Sequence, residues 1–149
     1  MKVIVYIGLL LSVLWAQEVS LATPKEAVHS YYKAMNTADI VLLERVMVAS
    51  SFDTTIEVWA LSKALKDKEF HKTLKAYGSD PKVDAEVRQA VKEKLLKSPE
   101  KKISDLVETP LGKSRCMIRY KEDGKKKQLF TSLHAGEWKI DYKAGRQID

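Results

Sequence analysis

One carboxylate and four tyrosines have side chains that could support catalysis in this chain. Asp105 lies between Ile103 and Val107, in a segment around Ile103–Glu108 that we predict to form a strand ahead of the Thr109–Gly112 turn. If the turn at Thr109–Gly112 holds two or four loop residues, Asp105 points into an apolar interior. Its pKa would be raised there, and it could act as a general base. Tyrosine hydroxyls near Asp105 could polarise a substrate carbonyl, and the candidates are Tyr31, Tyr32, Tyr120 and Tyr142.

The alternative arrangement of the same strand leaves Asp105 in water. With an odd number of loop residues, Ser104, Leu106 and Glu108 point inward instead. A lone carboxylate only rarely marks a catalytic site. The sequence therefore predicts a non-catalytic protein. The alternative is that the protein is an enzyme of the isomerase or dehydratase kind, and Asp105 would then be its candidate catalytic base.

The remaining reactive side chains do not form a site. Cys116 is the single cysteine, which excludes an internal disulfide and a cysteine-based metal centre. His29, His71 and His134 have no spacing typical of metal ligands, and no Gly-rich phosphate loop or serine nucleophile motif occurs. We expect neither a metal nor a cofactor.

Large aromatic residues could instead bind a ligand. In a hollow interior they would line the cavity and stack on a flat apolar molecule, whereas in a filled interior they are ordinary core residues. The candidates for such a pocket are Tyr31, Tyr32, Trp59, Tyr120 and Tyr142.

The N-terminus has the pattern of an export signal. Met1 and Lys2 precede an uncharged run over residues 3–15, which is shorter than the roughly 20 apolar residues of a membrane-spanning helix. We predict a signal peptide over residues 1–22, cleaved after Ala22 or alternatively after Ala16, and a periplasmic or secreted product. An uncleaved signal would instead anchor the chain in the membrane as part of an envelope or secretion assembly.

Helical patterns precede strand patterns in residues 23–149, which predicts a single α+β domain. Thr23, Pro24 and Glu26 form a capping box for a first helix, and Asp39 caps a short second one. A long third helix should begin at Asp53 or Thr54 and end at Gly78. A fourth should run from Asp80-Pro81 to Ser98-Pro99.

Two hairpin signals fix the register of a C-terminal meander. Two-residue turns at Asp123-Gly124 and Ala135-Gly136 both predict the same partition of side chains. The predicted core face holds Cys116, Ile118, Tyr120, Leu129, Thr131, Leu133, Trp138, Ile140 and Tyr142. The predicted outer face holds Arg115, Met117, Arg119, Gln128, Phe130, Ser132, Lys139, Asp141 and Lys143.

Positive charge is concentrated on that outer face. The formal net charge is +6, and residues 101–149 carry 12 basic and 7 acidic side chains. An apolar centre with a charged rim is typical of a small interface, for a partner protein or a second copy of the chain. The candidate residues are Arg115, Met117, Arg119, Phe130 and Lys139. We do not expect nucleic acid as a partner, because the aromatic residues are not interleaved with the basic ones.

The order of these parts resembles a known superfamily. A Thr23-Pro24 cap, the pair Tyr31-Tyr32, a break at Asn36–Asp39 and a final strand Gly136–Tyr142 after an Asp-Gly hairpin are similar to small exported bacterial members of the nuclear transport factor 2-like superfamily. The resemblance implies helices packed on a curved antiparallel sheet as a cone, often with a pocket inside. It does not select a function, because that superfamily includes enzymes, transport factors and secretion components. We therefore expect an exported domain that binds a partner protein or a small apolar or anionic ligand.

Overall fold

The computed structural model describes residues 19–146. Helices α1 (Pro24–Asn36), α2 (Ile40–Val46), α3 (Ala49–Ala64), α4 (Lys68–Leu74) and α5 (Pro81–Lys97) precede strands β1 (Ile103–Pro110), β2 (Arg115–Glu122), β3 (Lys125–His134) and β4 (Glu137–Ile140). This order confirms the predicted α+β class. The predicted signal run over residues 3–15 and the alternative cleavage residue Ala16 lie outside the described residues.

The first two helices begin where their capping residues predicted. The Thr23 hydroxyl accepts a hydrogen bond from the Glu26 N–H at 3.2 Å, and the Glu26 carboxylate accepts one from the Thr23 N–H at 3.0 Å. Asp39 caps α2 by accepting from the Leu42 N–H at 2.9 Å. Each pair satisfies backbone donors that a helix start leaves without an internal partner.

The prediction of one long third helix that begins at Asp53 or Thr54 and ends at Gly78 is wrong in two respects. α3 already begins at Ala49, after Val48, which contributes no side-chain cap. It ends at Ala64, and α4 begins again after Asp67. The Asp67 carboxylate accepts from the N–H groups of Glu69 and Phe70, each at 3.0 Å. An aspartate that caps a new helix N-terminus divides a segment whose apolar spacing alone favours continuity.

The sheet is antiparallel, in the order β1-β2-β3-β4. The predicted pairs Tyr120–Lys127, Ile118–Leu129 and Cys116–Thr131 are confirmed, as are Leu133–Trp138 and Thr131–Ile140. Both turns have positive φ at their two central residues, namely Asp123, Gly124, Ala135 and Gly136, as type I′ turns require. The predicted Leu129–Tyr142 pair is absent, because β4 ends at Ile140.

The core lies between the helices and the inner face of the sheet. Of the predicted inner-face residues, Cys116, Ile118, Tyr120, Thr131 and Ile140 are buried, and Leu129, Trp138 and Tyr142 are partly buried against the core. Leu133 is the exception with 37% of its surface exposed. It lies near the Ala135-Gly136 turn, at the end of the hairpin.

The outer edge of β4 is covered by two segments of the chain. The Trp138 N–H donates to the Leu21 carbonyl at 2.9 Å. Further along the same strand, Met47 forms a parallel bridge with Ile140, and the Val48 N–H donates to the Ile140 carbonyl at 2.9 Å. These contacts give backbone partners to an edge that would otherwise be open.

Candidate functional site

Four of the five aromatic residues predicted to line a pocket meet one another between α1 and the sheet. The hydroxyls of Tyr32 in α1 and Tyr120 in β2 are 2.8 Å apart, and those of Tyr31 and Tyr142 are 3.4 Å apart. Tyr31, Tyr32 and Tyr120 are buried. The Tyr32 ring makes edge contacts with the rings of Tyr31 and Tyr120, with centroids 5.4 and 5.7 Å away. These tyrosines fill the space between helix and sheet.

Glu122 connects this cluster to a surface lysine. The Tyr32 hydroxyl donates to one Glu122 carboxylate oxygen at 2.5 Å, and the Lys101 ammonium donates to the other at 2.9 Å. Burial of the Glu122 carboxyl acts to raise its pKa, but the Tyr32 hydrogen bond and the Lys101 charge outweigh it, so that the pKa lies below its usual value. A charged carboxylate is therefore held at the end of the tyrosine cluster.

The hydroxyls of Tyr31, Tyr32 and Tyr120 remain protonated near neutral pH. Burial, reinforced by neighbouring hydroxyls and by Glu122, raises the pKa of Tyr31 and of Tyr32 well above the usual value. Burial also raises the pKa of Tyr120. A buried phenol without a cationic neighbour loses its proton with difficulty. The cluster is thus a neutral hydrogen-bonding network and contains no base at neutral pH apart from Glu122.

A pocket of about 250 Å³ lies next to Lys101, between the ends of α1 and α5. Trp59 from α3 forms one wall, so it is the predicted pocket residue that borders this cavity. The described residues that line it are Met35, Asn36, Trp59, Lys94, Leu95, Ser98, Pro99 and Lys101. We call this cavity the Trp59 pocket.

Hydrogen bonds fix the polar rim of the Trp59 pocket. The Asn36 amide donates to the Lys101 carbonyl at 2.8 Å and accepts from the Lys101 N–H at 3.0 Å. The Lys94 ammonium donates to the Trp59 carbonyl at 3.2 Å. An ammonium group carries three donors. Lys94 and Lys101 can therefore each bind a further acceptor while these contacts persist.

Asp105 lies on the outer face of the sheet, which is the arrangement predicted for a loop of odd length. Pro110 pairs with Cys116, and the Leu111 N–H donates to the Arg115 carbonyl, so that a three-residue loop remains. The Asp105 side chain is 61% exposed and pairs with Lys121 at 2.7 Å. The interior position that a general base would need is not formed.

A bulge in β1 explains why neither predicted alternative describes the whole strand. The pairing shifts between Ser104 and Val107, and Asp105 has a positive φ of 56°. The extra residue reverses which side chains point inward. Ile103, from one alternative, and Leu106, from the other, are consequently both partly buried against the core.

The candidate interface on the outer face is partly covered by the chain itself. The segment after β4 crosses this face, and a Cβ atom at Gly145 would lie only 2.5 Å from the Phe130 ring. The Arg115 guanidinium donates to the Ala144 carbonyl at 3.3 Å. Phe130, Met117, Arg115 and Lys139 are partly buried, and Arg119 is exposed. The Met117–Phe130 pair is thus less exposed than predicted, since the C-terminal turn packs on Phe130, and its role in an interface stays a prediction.

A second, open concavity of about 510 Å³ lies toward the Asp123-Gly124 turn. Its charged lining consists of four basic residues and one acid, and Tyr120 and Gln128 complete it. The charged residues are Asp105, Arg119, Lys121, Lys126 and Lys127. Hydrogen bonding and charge attraction from Asp105 raise the pKa of Lys121. We call this surface the basic concavity.

Ser132, His134 and Asp141 form a cluster that the sequence analysis missed. The Ser132 hydroxyl donates to Asp141 at 2.7 Å and lies 2.6 Å from the His134 Nε2 atom, beside a cavity of about 390 Å³. In hydrolytic triads the imidazole lies between the hydroxyl and the carboxylate. Here the hydroxyl occupies the middle, so the carboxylate does not orient the imidazole. The sequence contained one indication of this cluster, because residues 132 and 134 are two apart in a predicted strand and therefore share one face of β3.

The described part of the chain contains no group of three or more His, Cys, Asp or Glu side chains placed to hold a metal ion. Within residues 19–146, none of the helices has the length and apolar character needed to cross a membrane. Comparisons with protein-family models, with curated protein sequences and with solved structures found no match for this chain.

Proposed function

We propose that this protein is a non-catalytic, exported binding domain whose ligand is a small planar molecule with an anionic group. The observation that carries this proposal is the Trp59 pocket, where Trp59 lines the same cavity as Lys94 and Lys101. Export and membership of the nuclear transport factor 2-like superfamily remain predictions from the sequence.

The apolar wall favours a flat ligand. Met35, Leu95 and Pro99 line the pocket together with Trp59, and an indole face stacks well on planar rings. The volume of about 250 Å³ lies below the 300–1,000 Å³ of typical drug-sized sites. We therefore infer a ligand of one or two rings.

The charged rim favours an anion. The described residues that line the pocket include Lys94 and Lys101, and none of them is an Asp or a Glu. Glu122 already holds one Lys101 donor at 2.9 Å, and Asn36 fixes the Lys101 backbone. Groups that are held before binding lose less conformational freedom when a ligand arrives. A carboxylate on the ligand could accept hydrogen bonds from both ammonium groups.

The enzymatic alternative lacks its essential group. Asp105 lies on the outer face and pairs with Lys121, whereas Tyr31, Tyr32 and Tyr120 are in the core. Among residues 19–146, Glu122 is the carboxylate that contacts these tyrosines, and it already accepts hydrogen bonds from Tyr32 and Lys101. This arrangement suits a structural role better than proton transfer.

The test uses 1-naphthoate as the probe and 1-naphthylmethanol, which has no charge, as the control compound. Calorimetry should show that 1-naphthoate binds more tightly than 1-naphthylmethanol. Trp59→Leu should abolish measurable binding. Lys94→Gln should weaken binding about fivefold, corresponding to the ~1 kcal/mol of a partly exposed charge contact.

Matched substitutions control for changes outside the pocket. Lys92→Gln alters an exposed lysine that lies on α5, as Lys94 does, but does not line the Trp59 pocket. Trp138→Phe alters a tryptophan in β4, away from the pocket lining. Both should bind 1-naphthoate as the parent does, and circular dichroism should confirm that each variant folds. Equal binding of both probes would exclude an anionic requirement, and unchanged binding by Trp59→Leu would exclude this pocket.

The basic concavity supports a second candidate function, the binding of an anionic polymer. Its four basic residues exceed its single acid, and its open shape suits an extended chain. Dextran sulfate should bind with an affinity that falls steeply with salt. The double variant Arg119→Ala/Lys126→Ala should lose most of this binding, whereas Lys92→Ala/Lys97→Ala on α5 should retain it. Equal losses in both variants would reduce this candidate to a nonspecific charge effect.

A further inference from the structure

The four residues before the N-cap Thr23 of α1, Val19–Ala22, belong to the folded domain. The Leu21 side chain is 4% exposed and is part of the hydrophobic core, and Val19 packs against that core from the surface. Apolar burial of this kind contributes directly to the stability of a domain. The segment therefore differs from an exposed linker ahead of the first helix.

Backbone hydrogen bonds hold the same segment on both sides. The Leu21 carbonyl accepts from the Trp138 N–H of β4 at 2.9 Å, and the Ser20 carbonyl accepts from the Ser30 hydroxyl of α1 at 3.2 Å. Trp138 pairs with Leu133 on its other side. Residues 20 and 21 thus join the edge of the sheet to the first helix.

Loss of this segment would expose several groups at once. A chain beginning at Thr23 would lack the Leu21 side chain, which leaves a gap in the core. It would also leave the Trp138 N–H and the Ser30 hydroxyl without these partners. Ser20 and Ala22 are small residues of the kind found before a signal peptide cleavage site, but cleavage after Ala22 would remove part of the domain.

We infer that the processing site lies upstream of Val19, after Ala16, so that the exported chain begins at Gln17 and retains Leu21. This inference depends on the predicted export signal and is independent of the ligand proposed for the Trp59 pocket. Ala16 is the other small residue at which the sequence predicts cleavage, and it precedes Val19 in the chain.

The test is the intact mass of the full chain after export from a bacterial host, for the parent and two variants. The parent mass should correspond to residues 17–149. Ala22→Leu changes an exposed residue and should leave the cleavage unchanged, whereas Ala16→Leu should leave the signal attached. A parent mass that begins at Thr23 or at any other residue, an uncleaved parent, or blockage by Ala22→Leu would overturn the inference.

A second measurement examines the structural premise in the same chain. Leu21→Asp should lower the midpoint of thermal unfolding of the exported protein by several degrees and reduce its yield. Ala22→Leu should leave both unchanged, because residue 22 is exposed. An unchanged midpoint in Leu21→Asp would show that the segment does not support the fold, and would overturn the reason for placing the cleavage upstream.

Discussion

The hydroxyl of Tyr32 in α1 lies 2.8 Å from the hydroxyl of Tyr120 in β2, so that a direct hydrogen bond joins the helical layer to the sheet through the core. Tyr32 also donates to Glu122 on the same strand. One side chain therefore serves two partners on β2. Tyr31, its neighbour in sequence, has a single long hydroxyl contact of 3.4 Å with Tyr142.

This difference predicts unequal effects when each hydroxyl is removed. Tyr32→Phe should lower the free energy of unfolding by about 1–3 kcal/mol, because it removes a hydrogen-bond partner from the buried Tyr120 hydroxyl and from the partly buried Glu122 carboxylate. Tyr31→Phe should cost less than about 1 kcal/mol, since its contact is at the limit of hydrogen bonding. Urea denaturation measures both values, and equal losses would contradict the assigned role of Tyr32.

The ion pair of Glu122 predicts a dependence of stability on acid. Its folded pKa lies below that of the unfolded chain, since the Tyr32 hydrogen bond and Lys101 outweigh burial. The carboxylate therefore stabilises the fold above about pH 4.5, the usual range for Glu, and this contribution disappears as the pH falls through the folded pKa. Glu122→Gln should be less stable than the parent by about 1 kcal/mol at pH 7.

The difference between parent and Glu122→Gln should shrink below about pH 4.5 when denaturation is repeated at successive pH values. Glu86→Gln is the matched control, because Glu86 is exposed on α5. The free energy of unfolding of Glu86→Gln should equal that of the parent at every pH. A Glu122→Gln difference that is constant from pH 7 to pH 3 would show that the charge is not responsible.

The buried tyrosines predict how the stability of the fold changes at alkaline pH. Burial is the largest cause of the raised pKa values of Tyr31, Tyr32 and Tyr120. The folded state therefore keeps protons that the unfolded chain releases above about pH 10, and stability falls as the pH rises beyond that value. Tyrosinate absorbance at these residues should increase together with the loss of circular dichroism. Full titration of all tyrosines in the folded protein would contradict this.

Gly145 predicts a steric effect on the outer face. An added Cβ would lie 2.5–2.7 Å from three atoms of the Phe130 ring, which requires the ring or the C-terminal turn to move. Gly145→Ala should lower stability by about 1–2 kcal/mol, as overpacking does elsewhere. Thermal unfolding measures the loss, and Phe130→Leu in the same chain should recover part of it. A Gly145→Ala variant as stable as the parent would show that the turn moves without cost.

The meander could be predicted because its turns have their own sequence signals. Asp123-Gly124 and Ala135-Gly136 adopt the positive φ values that two-residue hairpins require, and each fixes the register of every pair that follows. The bulge at Asp105 has no such signal. Whether one extra residue fits into β1 depends on how Ile103 and Leu106 pack, which local patterns do not contain.

The candidate site was only partly predictable for the same reason. Alternation placed Tyr120 and Tyr142 inward, and helical spacing placed Tyr31 and Tyr32 on one stripe. Whether these rings enclose a cavity or fill it depends on distances between elements that are far apart in sequence. The Trp59 pocket likewise combines residues from α1, α3, α5 and the segment before β1. The turn over Phe130 belongs to a C-terminal segment without periodic pattern.

The bulge in β1 also affects how separate molecules meet. β1 is the terminal strand of the sheet, and at Asp105 its backbone departs from the regular ladder. A displaced row of N–H and C=O groups is a poor template for a strand from another molecule, and the adjoining charge and Pro110 add to this effect. Because Leu21 and Val48 occupy the opposite border, we expect the folded protein to resist sheet-to-sheet aggregation and the growth of fibrils.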